Sequence, residues 1–194
     1  VTRSENGEYI GLRDPVDSNR MIFYNRGNIL SYDDPFEGVA IAIADNGLAI
    51  CCFEHSTNSI VRVLKVGSVI TEKDVKVGTP GFGRGLSITP DAKLMAVGDP
   101  VLGEVTLYTL TTDGKIEPSN TDIDAFGKFQ NSDFGHRVGL STTGKTLAVA
   151  APTYSDGIAQ IGAIIVYRQN PNDASKWDQI SEYIYGSQNS LKLG

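Results

Sequence analysis

The chain has 194 residues, 40% of them hydrophobic and 21% charged, with a net charge of −6 and a pI near 4.9. That length supports a core, while the acidic balance argues against a nucleic-acid partner, which needs a basic face for phosphates. No apolar run approaches the length of a membrane span, so none is expected.

The chain opens on Val1, which points to a processed form or an excised piece. Residues 7–15, GEYIGLRDP, read as a strand, followed by MIFYNRG from Met21 and then NILSY. From Phe36 the sequence FEGVAIAIADNGLAICCFE alternates apolar and small residues on either side of a turn, which predicts two antiparallel strands. IVRVLKV from Ile60 and SVITEKDVKVG supply two more. The same order returns at Phe82 (FGRGLSITPDAKLMAVGDP, then GEVTLYTL and DIDAFG). It returns again at Phe134 (FGHRVGLSTTGKTLAVAAP, then GAIIVYRQ and KWDQISEYIYG). Tyr24, Tyr108 and Tyr167 share one place in the third strand, with Leu64 standing there in the second unit.

Four strands per unit at a period of about 50 residues predict an all-β fold, a β-propeller with four four-stranded blades. The opening unit reads as lacking its first strand, because GEYIGLRDP matches GKTLAVAAP at 144–152. The tail SQNSLKLG ends where another first strand is due, with Leu191 and Leu193 matching Val138 and Leu140. The expected blades are therefore 187–194 plus 1–35, 36–81, 82–133 and 134–186, forming one domain over 1–194. The first blade is completed by the C-terminal strand, either within the chain or from a neighbouring copy. The alternative is a fragment of a longer repeat protein. Closure would remove exposed sheet edges.

The only cysteines, Cys51 and Cys52, are adjacent. Strand alternation predicts one thiol inside the core and one outside, and a disulfide between neighbours would be strained.

The Phe-Gly starts, with LMAVGDP and LAVAAP as second strands and WDQI at 177–180, resemble FG-GAP repeats, the units of integrin-alpha-like propellers. The second unit departs from that pattern at Phe36-Glu37-Gly38 and at CCF. The resemblance implies an extracellular or cell-surface propeller engaged in adhesion, ligand binding or assembly. Many such domains hold calcium in an Asp-rich loop between the first two strands. The equivalent loops here, TRSENG, ADNG, TPDAK and STTGK, each carry at most one carboxylate, too few for a cation that needs six to eight oxygens. No metal and no cofactor are expected.

Little else in the sequence suggests chemistry. His55 stands three residues from Cys52, and His136 opens an inner strand near the central channel, but neither comes with a visible triad. GFGRG at 81–85 leads into a strand, not a helix, so it lacks the anion-binding helix end of a phosphate loop. The loops after second and fourth strands put Asp14, Asp17, Asp33, Asp34, Glu54, Asp99, Tyr154 and Asp156 on one rim. That rim is the candidate ligand face. These observations favour a non-enzymatic interaction or structural module whose partners are other protein chains or its own copies. A lectin-like glycan binder using the acidic rim is the alternative, and a hydrolase or lyase with its site in the channel is a third reading.

Overall fold

A computed structural model describes residues 1–124, 129, 131–180 and 183–186. The strands run in chain order through four antiparallel sheets, and no α-helix interrupts them among the described residues. The first sheet holds β1 (Thr2–Arg3), β2 (Tyr9–Arg13), β3 (Arg20–Asn25) and β4 (Asn28–Asp33). The second holds β5 (Glu37–Ile43), β6 (Leu48–Glu54), β7 (Ser59–Val66) and β8 (Ile70–Gly78). The third holds β9 (Gly85–Ile88), β10 (Leu94–Asp99), β11 (Glu104–Leu110) and β12 (Ile116–Asp124). The fourth holds β13 (Arg137–Leu140), β14 (Thr146–Ala151), β15 (Ala163–Asn170) and β16 (Asp173–Gln179), with β17 (Ile184–Tyr185) on β15.

The turns between first and second strands explain the repeat at atomic level. The hydroxyls of Ser4, Thr89 and Ser141 each accept a hydrogen bond at 3.1 Å, from the backbone N–H groups of Tyr9, Leu94 and Thr146. Such side-chain bonds hold a turn that strand pairing alone leaves loose. Each turn then needs one left-handed residue, and Gly7, Ala92 and Gly144 supply it at φ of 73°, 59° and 67°.

The head therefore belongs to the repeat from its first residues. Thr2 and Arg3 pair with Gly11 and Ile10, so residues just ahead of β2 in the chain hold its inner edge. The sequence reading assigned that place to the tail. It missed β1 because Thr2-Arg3 lacks the apolar alternation of the other first strands, and the Ser4 turn is the signal that would have found it. Residues 187–194, with Leu191 and Leu193, lie outside the described residues.

Three apolar layers form where successive sheets pack face to face. Met21, Phe23, Cys51, Phe53 and Leu64 lie between the first two sheets. Ile50, Cys52, Val63, Met95 and Val97 lie between the second and third, and Leu107, Phe134, Leu147 and Ile165 between the third and fourth. The expectation of one exposed cysteine is corrected here: a sheet covered on both faces buries both sides of its strands. Cys51 and Cys52 are each 0% exposed, in different layers, and both are free thiols. Burial pushes both thiols up, Cys52 to about 12, so neither is a ready nucleophile. Iodoacetamide is accordingly expected to label neither in the native protein and both in concentrated guanidinium. Rapid alkylation of a native thiol would contradict this packing.

The Phe-Gly pairs mark the entry to a new sheet. Phe82 and Phe134 fill the layer shared with the preceding sheet. The following glycine, at φ of 87° or 91°, turns the chain so that its N–H meets a second-strand carbonyl, Gly83 to Gly98 at 2.8 Å and Gly135 to Ala150 at 3.0 Å. A Cβ on Gly98 would stand 1.9 Å from the Gly135 carbonyl oxygen, so backbone passes over backbone there.

The inner strands β1, β5, β9 and β13 converge. Arg3, Ile43, Ile88 and Leu140 line one pocket at one end of the space between them, and a larger pocket opens at the other end.

Candidate functional site

The larger pocket lies where second strands end and first strands begin, and it holds about 400 Å³. Val39, Ile41 and Leu86 give it apolar walls. Three arginines reach it from three sheets: Arg13 at the end of β2, Arg84 just before β9 and Arg137 at the start of β13. Arg13 pairs with Glu37 at 3.0 Å in an exposed contact. Arg84 grips the Glu54 carboxylate, with Nη2 at 2.9 Å from Oε1 and Nε at 3.2 and 3.3 Å from the two oxygens. Arg137 points Nη1 toward the Arg84 carbonyl at 3.4 Å and forms no ion pair with a described residue. Three guanidinium groups against two carboxylates leave the mouth net positive within an acidic protein. A guanidinium suits carboxylate and phosphate oxygens because its planar donors match them in pairs.

His136 precedes Arg137. Its Nδ1 is buried without a hydrogen-bond partner. Burial lowers its pKa from 6.5, and the charges of Arg137 and Arg84 lower it further against the opposing pull of Asp133. The ring is therefore neutral at pH 7, with a nitrogen able to take a proton. His55 is an ordinary loop residue, its Nδ1 3.1 Å from the Thr57 hydroxyl and its ring 5.1 Å from Phe36. Cys52 turns away from it, its thiol donating to the Phe82 carbonyl at 3.3 Å.

The acidic residues named from the sequence are spread over loops of all four sheets, and nearly all are engaged in holding those loops. Asp14 accepts from the N–H groups of Val16 and Asp17, which hold its carboxyl below the usual value. Asp17 and Asp33 pair with Arg20. Asp34 is buried against Arg62. Asp99 is 4% exposed and accepts from Val101, Leu102 and the Thr79 hydroxyl. Tyr154 is buried with Phe129 and stacks on Tyr185. Asp156 accepts from Ile158 and Ala159, and these bonds lower its carboxyl. Of the set, Glu54 alone reaches the arginine pocket, through Arg84. The sequence reading missed the arginines, although Arg84 and Arg137 stand two and three residues after the phenylalanines that open their units. No group of three or more His, Cys, Asp or Glu among the described residues is placed to hold a metal ion.

Neither a protein-family model nor a curated protein matches the chain. Solved structures do. A proposed 6-phosphogluconolactonase from Bacteroides fragilis superposes with a TM-score of 0.63 at 13% identity, over 94% of this chain and 53% of that one. The periplasmic gluconolactonase of Pseudomonas aeruginosa gives 0.61 at 11%, over 95% and 55%. The β-propeller domain of Cps50 (Swd1) from Myceliophteria thermophila gives 0.60 at 9%, over 94% and 56%. The chain spans about half the length of these structures. The FG-GAP resemblance thus narrows to the propeller fold, without the integrin-like family or its adhesive role. The expectation that the chain is not an enzyme is corrected by the same matches, because gluconolactonases stand among the propellers it resembles. The sparse catalytic inventory that prompted it is no argument, since a propeller assembles its site from single residues of separate blades. No helix among the described residues is long and apolar enough to cross a membrane, and the periplasmic location is the Pseudomonas protein's own. The chain has the fold of a β-propeller, with four four-stranded blades and an arginine-lined mouth.

Proposed function

We propose that the arginine-lined mouth binds a small anionic sugar derivative and that the reaction served there is hydrolysis of a sugar lactone. The observation that carries this reading is the convergence of Arg13, Arg84 and Arg137 on one pocket of about 400 Å³, within the size range of small-molecule sites. The gluconolactonases among the similar folds supply the reaction class. Arg13 and Arg84, each already facing a carboxylate, orient the anionic group of the substrate. Arg137 has no carboxylate partner among the described residues and stabilises the oxyanion formed when water adds to the lactone carbonyl carbon. The ring C–O bond then breaks, the ring oxygen takes a proton and the open sugar acid leaves. The proton that the attacking water gives up passes to bulk water through the open mouth of the pocket.

The test is hydrolysis of 6-phosphogluconolactone and of glucono-1,5-lactone, followed in a pH-stat against the spontaneous rate. Arg137→Ala should lower kcat by about 100-fold or more, and Arg84→Ala should raise KM more for the phosphorylated lactone. A folded protein that hydrolyses neither lactone faster than water would overturn the proposal.

A further inference from the structure

The first and fourth sheets each turn one face outward with no sheet against it among the described residues. On the first sheet that face carries Ile10, Tyr24 and Ile29, opposite one another across three strands, and beside them Leu12 and Ile22. Ile29 is 75% exposed and Tyr24 39%. Tyr24 holds the same strand position as Leu64 and Tyr108, which are 0% and 6% exposed because each lies against the preceding sheet. On the fourth sheet the outward face carries small residues, Ala148 opposite Val166 and Ala150 opposite Ile164, with Ile184 half exposed beside Ile164. The corresponding face of the third sheet carries Ala96, Val105 and Leu107, all 0–1% exposed against the fourth.

Every internal junction therefore joins the face that is open on the fourth sheet to the face that is open on the first, and the molecule makes that junction three times. We propose that two copies of this chain dock head to tail, the fourth sheet of each against the first sheet of the other, closing one ring of eight sheets around a shared channel. Eight blades lie within the range that propellers adopt. Such a contact is heterologous and stays finite only if the rotation closes, which eight sheets in one ring would satisfy. The inference is independent of the lactone reading, and closure would bring the arginine mouths of both copies onto one channel.

The experiment is light scattering with size exclusion on the 194-residue chain at about 10 μM, a concentration at which specific dimers persist. The expected mass is twice the 20.8 kDa of one chain. Tyr24→Asp and Ile164→Asp should each raise the dimer dissociation constant at least about 100-fold, leaving monomers with unchanged circular dichroism. An equimolar mixture of the two variants should recover a dimer, because one junction keeps both its faces intact. Should either variant fail to fold, Ile29→Asp and Ile184→Asp probe the same faces at more exposed positions. A monomeric parent chain would overturn the proposal and leave both faces to sheets of another segment. An Ile164→Asp variant that stays dimeric, a mixture that stays monomeric, or open polymers of the parent chain would each overturn it as well.

Discussion

Arg62→Met should cost about 3–5 kcal/mol, the usual price of breaking a buried ion pair from one side. The Asp34 side chain is 1% exposed and Arg62 16%. Asp34 takes the Arg62 Nε–H on one oxygen and the Phe36 N–H on the other, at the point where the chain passes from the first sheet to the second. Arg62 also holds Glu72 at 2.8 Å, and Glu72 accepts the Tyr32 hydroxyl at 2.9 Å. Burial and the bond to Glu72 push that phenol up to about 12, so it remains a donor through the neutral range. With Arg62 gone, the Asp34 carboxylate keeps one amide and no countercharge. Urea denaturation should register the loss, and the double variant Asp34→Asn, Arg62→Met should recover much of it, since no uncompensated charge is left inside. A loss below about 1 kcal/mol for Arg62→Met would mean that water reaches Asp34, as at an exposed pair.

The second large effect is expected at Phe134. It is 0% exposed, with the Tyr167 ring edge-on at 6.5 Å and Phe129 at the same distance. Phe134→Ala removes a ring from the layer between the third and fourth sheets and leaves a cavity, at about 3–5 kcal/mol. The three phenylalanines that open units should rank by burial. Phe82, 8% exposed, should cost somewhat less, and Phe36, half-buried against His55, least. Equal losses at all three would show that the position matters for entering the sheet and not for filling the layer.

Much of the fold was legible because a period-two alternation, a polar turn and a Phe-Gly start are local features. Each is written within a few residues and repeats in every unit, so strand order and sheet number followed from spacing. β1 was missed for the same reason, because Thr2-Arg3 carries no alternation and its place is held by pairing and by Ser4. The cysteines failed differently. Alternation assigned Cys51 and Cys52 to opposite faces correctly, but whether a face is wet depends on what packs against it. The second sheet lies between two others, so both faces are dry.

The site was the least legible part. Asp and Glu in loops look alike in sequence whether they bind a ligand or cap a turn, and here most accept hydrogen bonds from their own loop or pair with a nearby arginine. Arg13, Arg84 and Arg137 are 71 and 53 positions apart in succession, and nothing local ties them together. The sequence by itself determined the repeating strand grammar and the sheet order, because these depend on side-chain periodicity along a strand. Only the tertiary structure decided which strand edges the head fills, that both thiols are buried, and that three distant guanidinium groups share one mouth. Those follow from how sheets converge around an axis, and convergence is a relation between segments that no single segment encodes.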